Sequence, residues 1–259
     1  GGGIAASGST TIKNAIISGN TANSYGGGIH CNYGDSLTIE NVTISGNTAG
    51  SDGGGIYFQV SSPSLENVAI TNNIAFDDGG GIFCNVSSPS LENVTIRNNI
   101  ASDSGGGIYC NSSNPSFSSA NRCNIYSNTD NSSSRGTGVD IFNLDVPIID
   151  VIVDTFTVMT PTDYYATPLN NFTFDILNSV EDNMINADVY VSVDGDDSNL
   201  GTTSSAPFKT IRYALSRIYT DSLNTNTIHL ATGTYSPLTN GEIFPIKWSS
   251  YVNLSGRGE

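Results

Sequence analysis

The sequence predicts an all-β chain built from stacked laps, and three observations carry that expectation. Glycine triplets begin at Gly1, Gly26, Gly53, Gly79 and Gly105, in steps of 25, 27, 26 and 26 residues, with a looser version, GTGVDIF, beginning at Gly136. Pro63, Pro89 and Pro115 recur at the same step, and Asn20, Asn47, Asn73, Asn99 and Asn128 close the second run of each lap. Apolar residues sit two apart within each lap, as Ile29/Cys31, Ile56/Phe58, Ile82/Cys84 and Ile108/Cys110 in the first run. Val42/Ile44, Val68/Ile70 and Val94/Ile96 repeat the pattern in the second run, with Cys123/Ile125 as the looser match.

Each element of that reading has a physical reason. Alternation of this kind marks strands with one buried face. Two or three short strands bounded by Gly, Pro and Asn cannot bury that face alone, whereas stacked laps cover one another. The expected architecture is therefore a right-handed parallel β-helix of about 26 residues per coil, with coils roughly 4.8 Å apart. The L-x-x-L-x-L framework of leucine-rich repeats is absent, and propeller blades need about 40 to 45 residues. Stacking brings identical residues together, so an asparagine column can chain its amides along the axis. Asn14, Asn41, Asn67 and Asn93 are the expected column. Glycines recur where the coil bends tightly and a Cβ would clash.

The laps typified by GGGIYFQ…LENVAITNN resemble the GG-[AG]-I and F-x-x-N repeats of polymorphic outer-membrane proteins and autotransporter-type β-helices, over about residues 1–142. That resemblance implies the fold and an extracellular or cell-surface setting, and little about activity.

The period dissolves after Val139. The run VPIIDVIVDTFTV (146–158) reads as a strand of a closing coil, TPTDYYATPLNN (160–171) as loop, FTFDI (172–176) as strand and NSVEDNMINA (178–187) as polar linker. A new signal then begins with a strand from Val189 to Val193 and an acidic turn. Ser205 and Pro207 supply helix-start chemistry. Phe208, Ile211, Ala214, Leu215 and Ile218 recur at helical spacing, giving one apolar face. Strands return in TIHLATGTY and YVNLSG. A lone amphipathic helix ahead of strands suits the open end of a β-helix, whose apolar cross-section and unpaired edge need cover. The run YVSVDGDDSNLGT…APFKTIRYAL…TIHLATGTY…GEIFPI resembles the opening module, of unknown function, at the head of many extracellular β-helix proteins, and similar heads precede family-nine pectate lyases. The expected organisation is thus 1–158 as the last coils of one β-helix, 159–188 as loop, strand and linker, and 189–259 as the cap and first coil of a second. The ends read as those of an excerpt from a longer chain.

Composition bounds the partners. Twenty-four acidic against nine basic residues give a net charge of −15, which repels phosphate backbones and argues against nucleic acid. No apolar run approaches the length of a transmembrane segment. Divalent cations and glycans are left as partners; the oligomeric state is open.

Candidate sites follow from the columns. Residues between the buried pairs point outward as a stripe, Ala5, His30, Tyr57, Phe83, Tyr109 and then Asp140. His30, Tyr57, Phe83 and Tyr109 are the candidate glycan-binding residues, since aromatic ladders can bind sugar rings through their apolar faces; the competing reading is mutual side-chain stacking. Glu40, Glu66 and Glu92 form a second column, with Lys13 one lap earlier. Like charges so close need solvent or a bridging ion, and calcium is the cation they could hold; no cofactor is required. Asp52, Asp77, Asp78 and Asp103 cluster before the glycines. DGDDSNLG (194–201) places Asp194, Asp196 and Ser198 at the first, third and fifth positions of an EF-hand-like loop, but Asn199 and Ser205 fall where Gly and Glu are needed, so a plain turn is the better reading.

Cys31, Cys84 and Cys110 share the inward column with Phe58, which argues for small buried apolar residues rather than a disulfide framework, although Cys84 and Cys110 are near enough to join. Cys123 takes another inward place. No catalytic residue is assigned. NTD occurs at Asn128–Asp130, but the Gly-His-Gly and Arg-Ile-Lys signatures of polygalacturonase-like β-helices are absent, and no Lys or Arg occupies the outward stripe. His30 is a lone imidazole there, and His229 lies between Ile228 and Leu230 on a strand. The expected role is structural and adhesive, with glycan contact along the aromatic stripe. The alternative is a polysaccharide lyase or glycoside hydrolase whose catalytic coils lie mostly outside these residues.

Overall fold

The computed structural model describes residues 1–33, 37–130, 140–144, 147–160, 163–181, 185–219, 223, 225–242, 244, 246, 248 and 251–256. The glycine run expected at Gly136 lies outside them. The described residues fall into two compact units, 1–130 with 140–181, and 185–256.

The first unit is a parallel solenoid. Ile4–Ala6, Ile29–Cys31, Ile56–Gln59, Ile82–Asn85, Ile108–Asn111, Ile141–Asn143 and Ala166–Thr167 form a seven-stranded sheet, one strand per lap and all parallel. Each regular lap adds three more short strands, for example Ser90–Glu92, Thr95–Arg97 and Ile100–Ala101, to three further sheets. A lap therefore holds four strands rather than the expected two or three; the fourth is a two-residue Thr-Ala or Ile-Ala step too short to show alternation. Repeat positions meet their own copies, as Ile82 pairs Ile56 and Ile108, and Ile70 pairs Ile44 and Ile96. The inward residues of these columns make one core in which Ile56, Phe58, Ile70, Ile82, Ile96 and Cys110 are fully buried.

The glycine triplet marks a close approach between laps. A Cβ on Gly80 would lie 2.5 Å from the Gly106 carbonyl oxygen and from the Ile100 carbonyl carbon, both backbone. Gly79 before it has φ +68°, a left-handed conformation in which side chains are costly.

A ladder of buried amides runs through the laps on a column other than the expected one. The backbone N–H and side-chain Nδ2 of Asn20 both donate to Oδ1 of Asn47, at 3.0 and 2.9 Å. Asn47 donates likewise to Asn73, Asn73 to Asn99 and Asn99 to Asn128. Each Nδ2 from Asn47 onward also donates to a carbonyl, those of Ile17, Ile44, Ile70 and Ile96 in turn. The column closes on Asp140, whose Oδ1 accepts from the Asn128 N–H and Nδ2 at 3.1 and 2.7 Å and whose Oδ2 accepts from the Thr157 N–H at 3.2 Å. Asp140 is fully buried. Burial lifts its pKa to about 7 against those hydrogen bonds. Asn14, Asn41, Asn67 and Asn93, expected to form this ladder, instead stand at corners with φ between 48° and 55°, where Asn is tolerated; one link, Asn93 to Asn67, joins them. A shorter buried hydroxyl column also escaped the sequence reading: the N–H groups of Ser61 and Ser87 donate to the Oγ atoms of Ser87 and Ser113.

Past the regular laps, Ile149–Thr160 and Phe172–Glu181 pair in parallel and close one side of the core with Val151, Val153, Phe156 and Phe172. The second strand reaches beyond the expected 172–176 into the stretch read as linker, and the stretch read as loop contributes Ala166–Thr167 to the seven-stranded sheet. Arg122 fastens the layer, donating to the carbonyls of Val153 and Asp175 and pairing with the Asp175 carboxylate at 2.7 Å.

The second unit holds three parallel strands, Val189–Val191, Asn226–Leu230 and Val252–Gly256, with the helix Ile211–Arg217. Phe208, Ile211, Ala214, Leu215 and Ile218 are all buried against Val189, Val191 and Ile228, as the helical spacing predicts. The helix starts later than Ser205 and Pro207 suggest. Thr210 caps it by accepting from the Tyr213 N–H, Asp197 accepts from the Lys209 and Thr210 N–H groups, and Glu242 accepts from those of Ile211 and Arg212. Three side-chain acceptors at its start fix the helix boundary here.

Asn73→Ala should cost about 2–4 kcal/mol in urea unfolding, because it strands the Asn47 donors and the Ile44 carbonyl inside the core. Asn67→Gly, at a left-handed corner, should stay within about 0.5 kcal/mol. Equal costs for the two would refute the assignment of the ladder.

Candidate functional site

The outer face of the seven-stranded sheet carries the aromatic stripe. Strand alternation turns Ile56 and Phe58, Ile82 and Cys84, Ile108 and Cys110 inward, which puts Tyr57, Phe83 and Tyr109 on the opposite face in direct register. The rings stack, with centroids 5.2 Å apart from Tyr57 to Phe83, 4.8 Å from Phe83 to Tyr109 and 4.9 Å from Tyr109 to Phe142, all within 15° of parallel. His30 meets Tyr57 edge-on at 5.2 Å, and Tyr25, from the corner before the strand, covers Tyr57 at 4.7 Å. The expected sixth member, Asp140, is not on this face. Phe142 holds that register position because the irregular lap enters the sheet at Ile141, and Asp140 has turned inward to the amide ladder.

Stacking along the axis decides what the stripe offers. Tyr57, Phe83 and Tyr109 are only 5–8% exposed, because each ring face is covered by the next ring. Offset or parallel ring pairs contribute about 0.5–1.5 kcal/mol each beyond their buried area, so the stripe is first a stabilising ladder and presents ring edges to solvent. Burial lowers the His30 pKa, and its Nε2 is buried without a hydrogen-bond partner. His30 and the half-exposed Tyr25 line a recess of about 370 Å³ with Gly1, Gly2 and residues 21–24.

Two columns flank the rings, one of amides that the sequence analysis does not single out and one formed by the corner acids that it does. Gln59, Asn85 and Asn111 are register partners two residues further along the same strands, on the same face. The Asn85 amide donates to the Tyr57 hydroxyl at 3.3 Å, and the Gln59 amide to the Tyr33 hydroxyl at 3.0 Å. Alternation alone could have found them, since each is the second outward residue after the glycines. On the other side the corner acids align: Asp52 Oδ1 accepts from the Asp78 N–H at 3.2 Å and Asp78 Oδ1 from the Ser104 N–H at 2.9 Å. Burial, with repulsion from Asp77, raises Asp52 to about 6 against the hydrogen bonds from Asp78 and Ser51. Burial, with repulsion from Asp52, Asp103 and Asp77, raises Asp78 to about 7.

Glu40, Glu66 and Glu92 stand in register, as expected, with Lys13 completing the column. Lys13 pairs with Glu40 at one end and the Asn121 amide donates to Glu92 at the other, so neighbouring donors meet the like charges. Among the described residues, no three His, Cys, Asp or Glu side chains gather to hold a metal ion. In the 194–201 stretch, Asp196 bonds the Ser198 N–H and hydroxyl within its own turn while Asp197 serves the helix start, the plain-turn reading. All four cysteines are buried thiols. Asn128 of the NTD tripeptide belongs to the amide ladder. The His229 Nε2–H donates to the Asp188 carboxylate at 2.8 Å, and the ring stacks on Tyr190.

Two family descriptions match this chain. Residues 1–129 match the right handed beta helix region, which spans the regular laps. Residues 1–129 are a β-helix repeat. Residues 193–259 match a protein of unknown function (DUF1565), over the helix Ile211–Arg217 and the two strands that follow it. No curated protein and no solved structure gives a match. Among the described residues no helix is long and apolar enough to cross a membrane.

Asp52, Asp78 and Asp140 all have folded pKa values above the unfolded value, so the folded β-helix keeps protons that the unfolded chain releases. That stabilisation is complete below about pH 4 and is lost as pH rises through roughly 6 to 7. The melting temperature should therefore fall between pH 5 and pH 8, and Asp52→Asn/Asp78→Asn should flatten the fall. A wild-type melting temperature that climbs across this interval would contradict the assignment.

Proposed function

We propose that the chain is part of a secreted or surface-displayed β-helix protein with a structural and adhesive role, touching glycans along the outer face of its seven-stranded sheet. The supporting observation is the set of three parallel columns on that face: amides of Gln59, Asn85 and Asn111, ring edges of Tyr57, Phe83 and Tyr109, and the corner carboxyls of Asp52 and Asp78. Amides and carboxyls are donors and acceptors suited to sugar hydroxyls, and aromatic edges supply apolar contact between them. Repetition at one-lap spacing, about 4.8 Å, offers equivalent contacts along a repeating polymer, so many weak contacts add without any deep pocket. The net charge of −15 favours neutral or cationic glycans over acidic ones.

The second unit fits the opening of a further β-helix. Leu254 stands in register with Ile228 and Val189, which are fully buried, yet is itself 51% exposed. An inward position without cover is what a following coil would bury.

On a glycan array the chain should bind a subset of neutral or amino-bearing polysaccharides, and Asn85→Ala/Asn111→Ala should weaken that binding at least several-fold with an unchanged melting temperature. Tyr57→Ala/Tyr109→Ala should reduce both binding and stability. Absence of binding to every glycan would remove the recognition role, and release of unsaturated product from polygalacturonate would favour a lyase instead.

A further inference from the structure

Cys84 and Cys110 occupy equivalent places on the adjacent strands Ile82–Asn85 and Ile108–Asn111 and are direct register partners. Both are fully buried free thiols. Neighbouring strands hold partner Cα atoms about 4.8 Å apart, within the roughly 4.4–6.8 Å that a disulfide spans. The pair is isolated from the other two thiols. Phe58 lies next to Cys84 in the column and separates it from Cys31, while Asn143 lies on the far side of Cys110. Cys123 belongs to a different sheet, beside Val153.

We propose that Cys84 and Cys110 are an oxidation site, forming one disulfide between consecutive laps wherever the chain folds in the presence of an oxidised thiol carrier. The thiolate of one cysteine attacks a sulfur of the carrier disulfide, giving a mixed disulfide and one carrier thiolate. The second cysteine, as its thiolate, then attacks the protein sulfur of that mixed disulfide and expels the second carrier thiolate. The two protein thiols lose two electrons and two protons, and one carrier disulfide is reduced to two thiols. The hydrogen bond to Cys110 and burial both raise the pKa of the Cys84 thiol, so thiolate is scarce once the laps have closed. The exchange therefore belongs to folding, before the Phe58 and Asn143 levels seal the column. The bond would close a loop of one lap and tie the strand Ile108–Asn111 to the lap before it, next to the point where the spacing of the repeat changes.

The test is to refold the reduced 259-residue chain in a buffer of reduced and oxidised glutathione, block remaining thiols in denaturant with iodoacetamide, and map peptides without reduction. The expected result is a single linkage between the peptides carrying Cys84 and Cys110, with Cys31 and Cys123 alkylated, and a higher melting temperature for the oxidised than for the reduced chain. Cys31→Ala/Cys123→Ala should keep both the linkage and the difference, and Cys84→Ala/Cys110→Ala should lose both. Repeating the map on chain that folded during export to a bacterial periplasm and was purified without reductant covers the case in which refolding fails. Four alkylated cysteines in both preparations, glutathione retained on Cys84 or Cys110, or a linkage to Cys31 or Cys123 would overturn the proposal.

Discussion

The buried asparagine ladder is the interaction on which the first unit depends. A solenoid of short strands has hydrophobic columns to hold laps together, but apolar contact is non-directional and permits sliding. The ladder does not. Each Oδ1 takes two donors from the preceding lap, and the same side chain's Nδ2 donates both back to a backbone carbonyl of that lap and onward to the Oδ1 of the next, so a slip of one residue would leave several buried polar groups without partners. Register, and with it every column on the outer faces, follows from this satisfaction. The ladder also has a direction: every amide-to-amide bond runs from one lap to the next and the row ends on the Asp140 carboxyl, whose Oδ1 takes the last pair of donors.

The aromatic stripe shows how the same stacking rule limits function. Residues placed one above another at strand spacing have just enough room to lie face to face, and large flat rings take that arrangement. What remains for a partner is the border of the stack and the polar columns on either side of it. Recognition on such a surface draws on a line of similar groups rather than on one shaped cavity, which suits polymers better than small molecules. The corner acids add a second property, because carboxyls buried in a row against one another hold protons near neutral pH.

Most of the fold was legible because its causes are local and repeated. Glycine spacing located the close approaches between laps, and the Ile-x-Cys and Val-x-Ile pairs located the inward faces. The amide ladder was assigned to the wrong column because two asparagine columns recur with the same period, and nothing within one lap distinguishes a left-handed corner such as Asn67 from an inward amide such as Asn73. A signal did exist: the inward column continues to Asn128 through the irregular lap, where the corner column ends. Asp140 was placed on the outer face by counting from a glycine run whose spacing had already changed. The stripe of Tyr57, Phe83 and Tyr109 could be read, but whether its rings would show faces or edges depends on side-chain rotation, which alternation does not encode. Gln59, Asn85 and Asn111 were visible to the same alternation and were passed over because amides carry no conspicuous chemistry alone.

The repetition of the ladder has a consequence for how such a chain can change over time. Every junction between asparagines is chemically the same, so a whole lap inserted or removed between two of them, in phase, leaves the joints on either side as they were. Length is thus a free variable of this architecture, whereas a partial lap would break the amide row at once. Duplication by whole laps, whose asparagine-to-asparagine steps here are 27, 26, 26 and 29 residues, is the variation this interior tolerates.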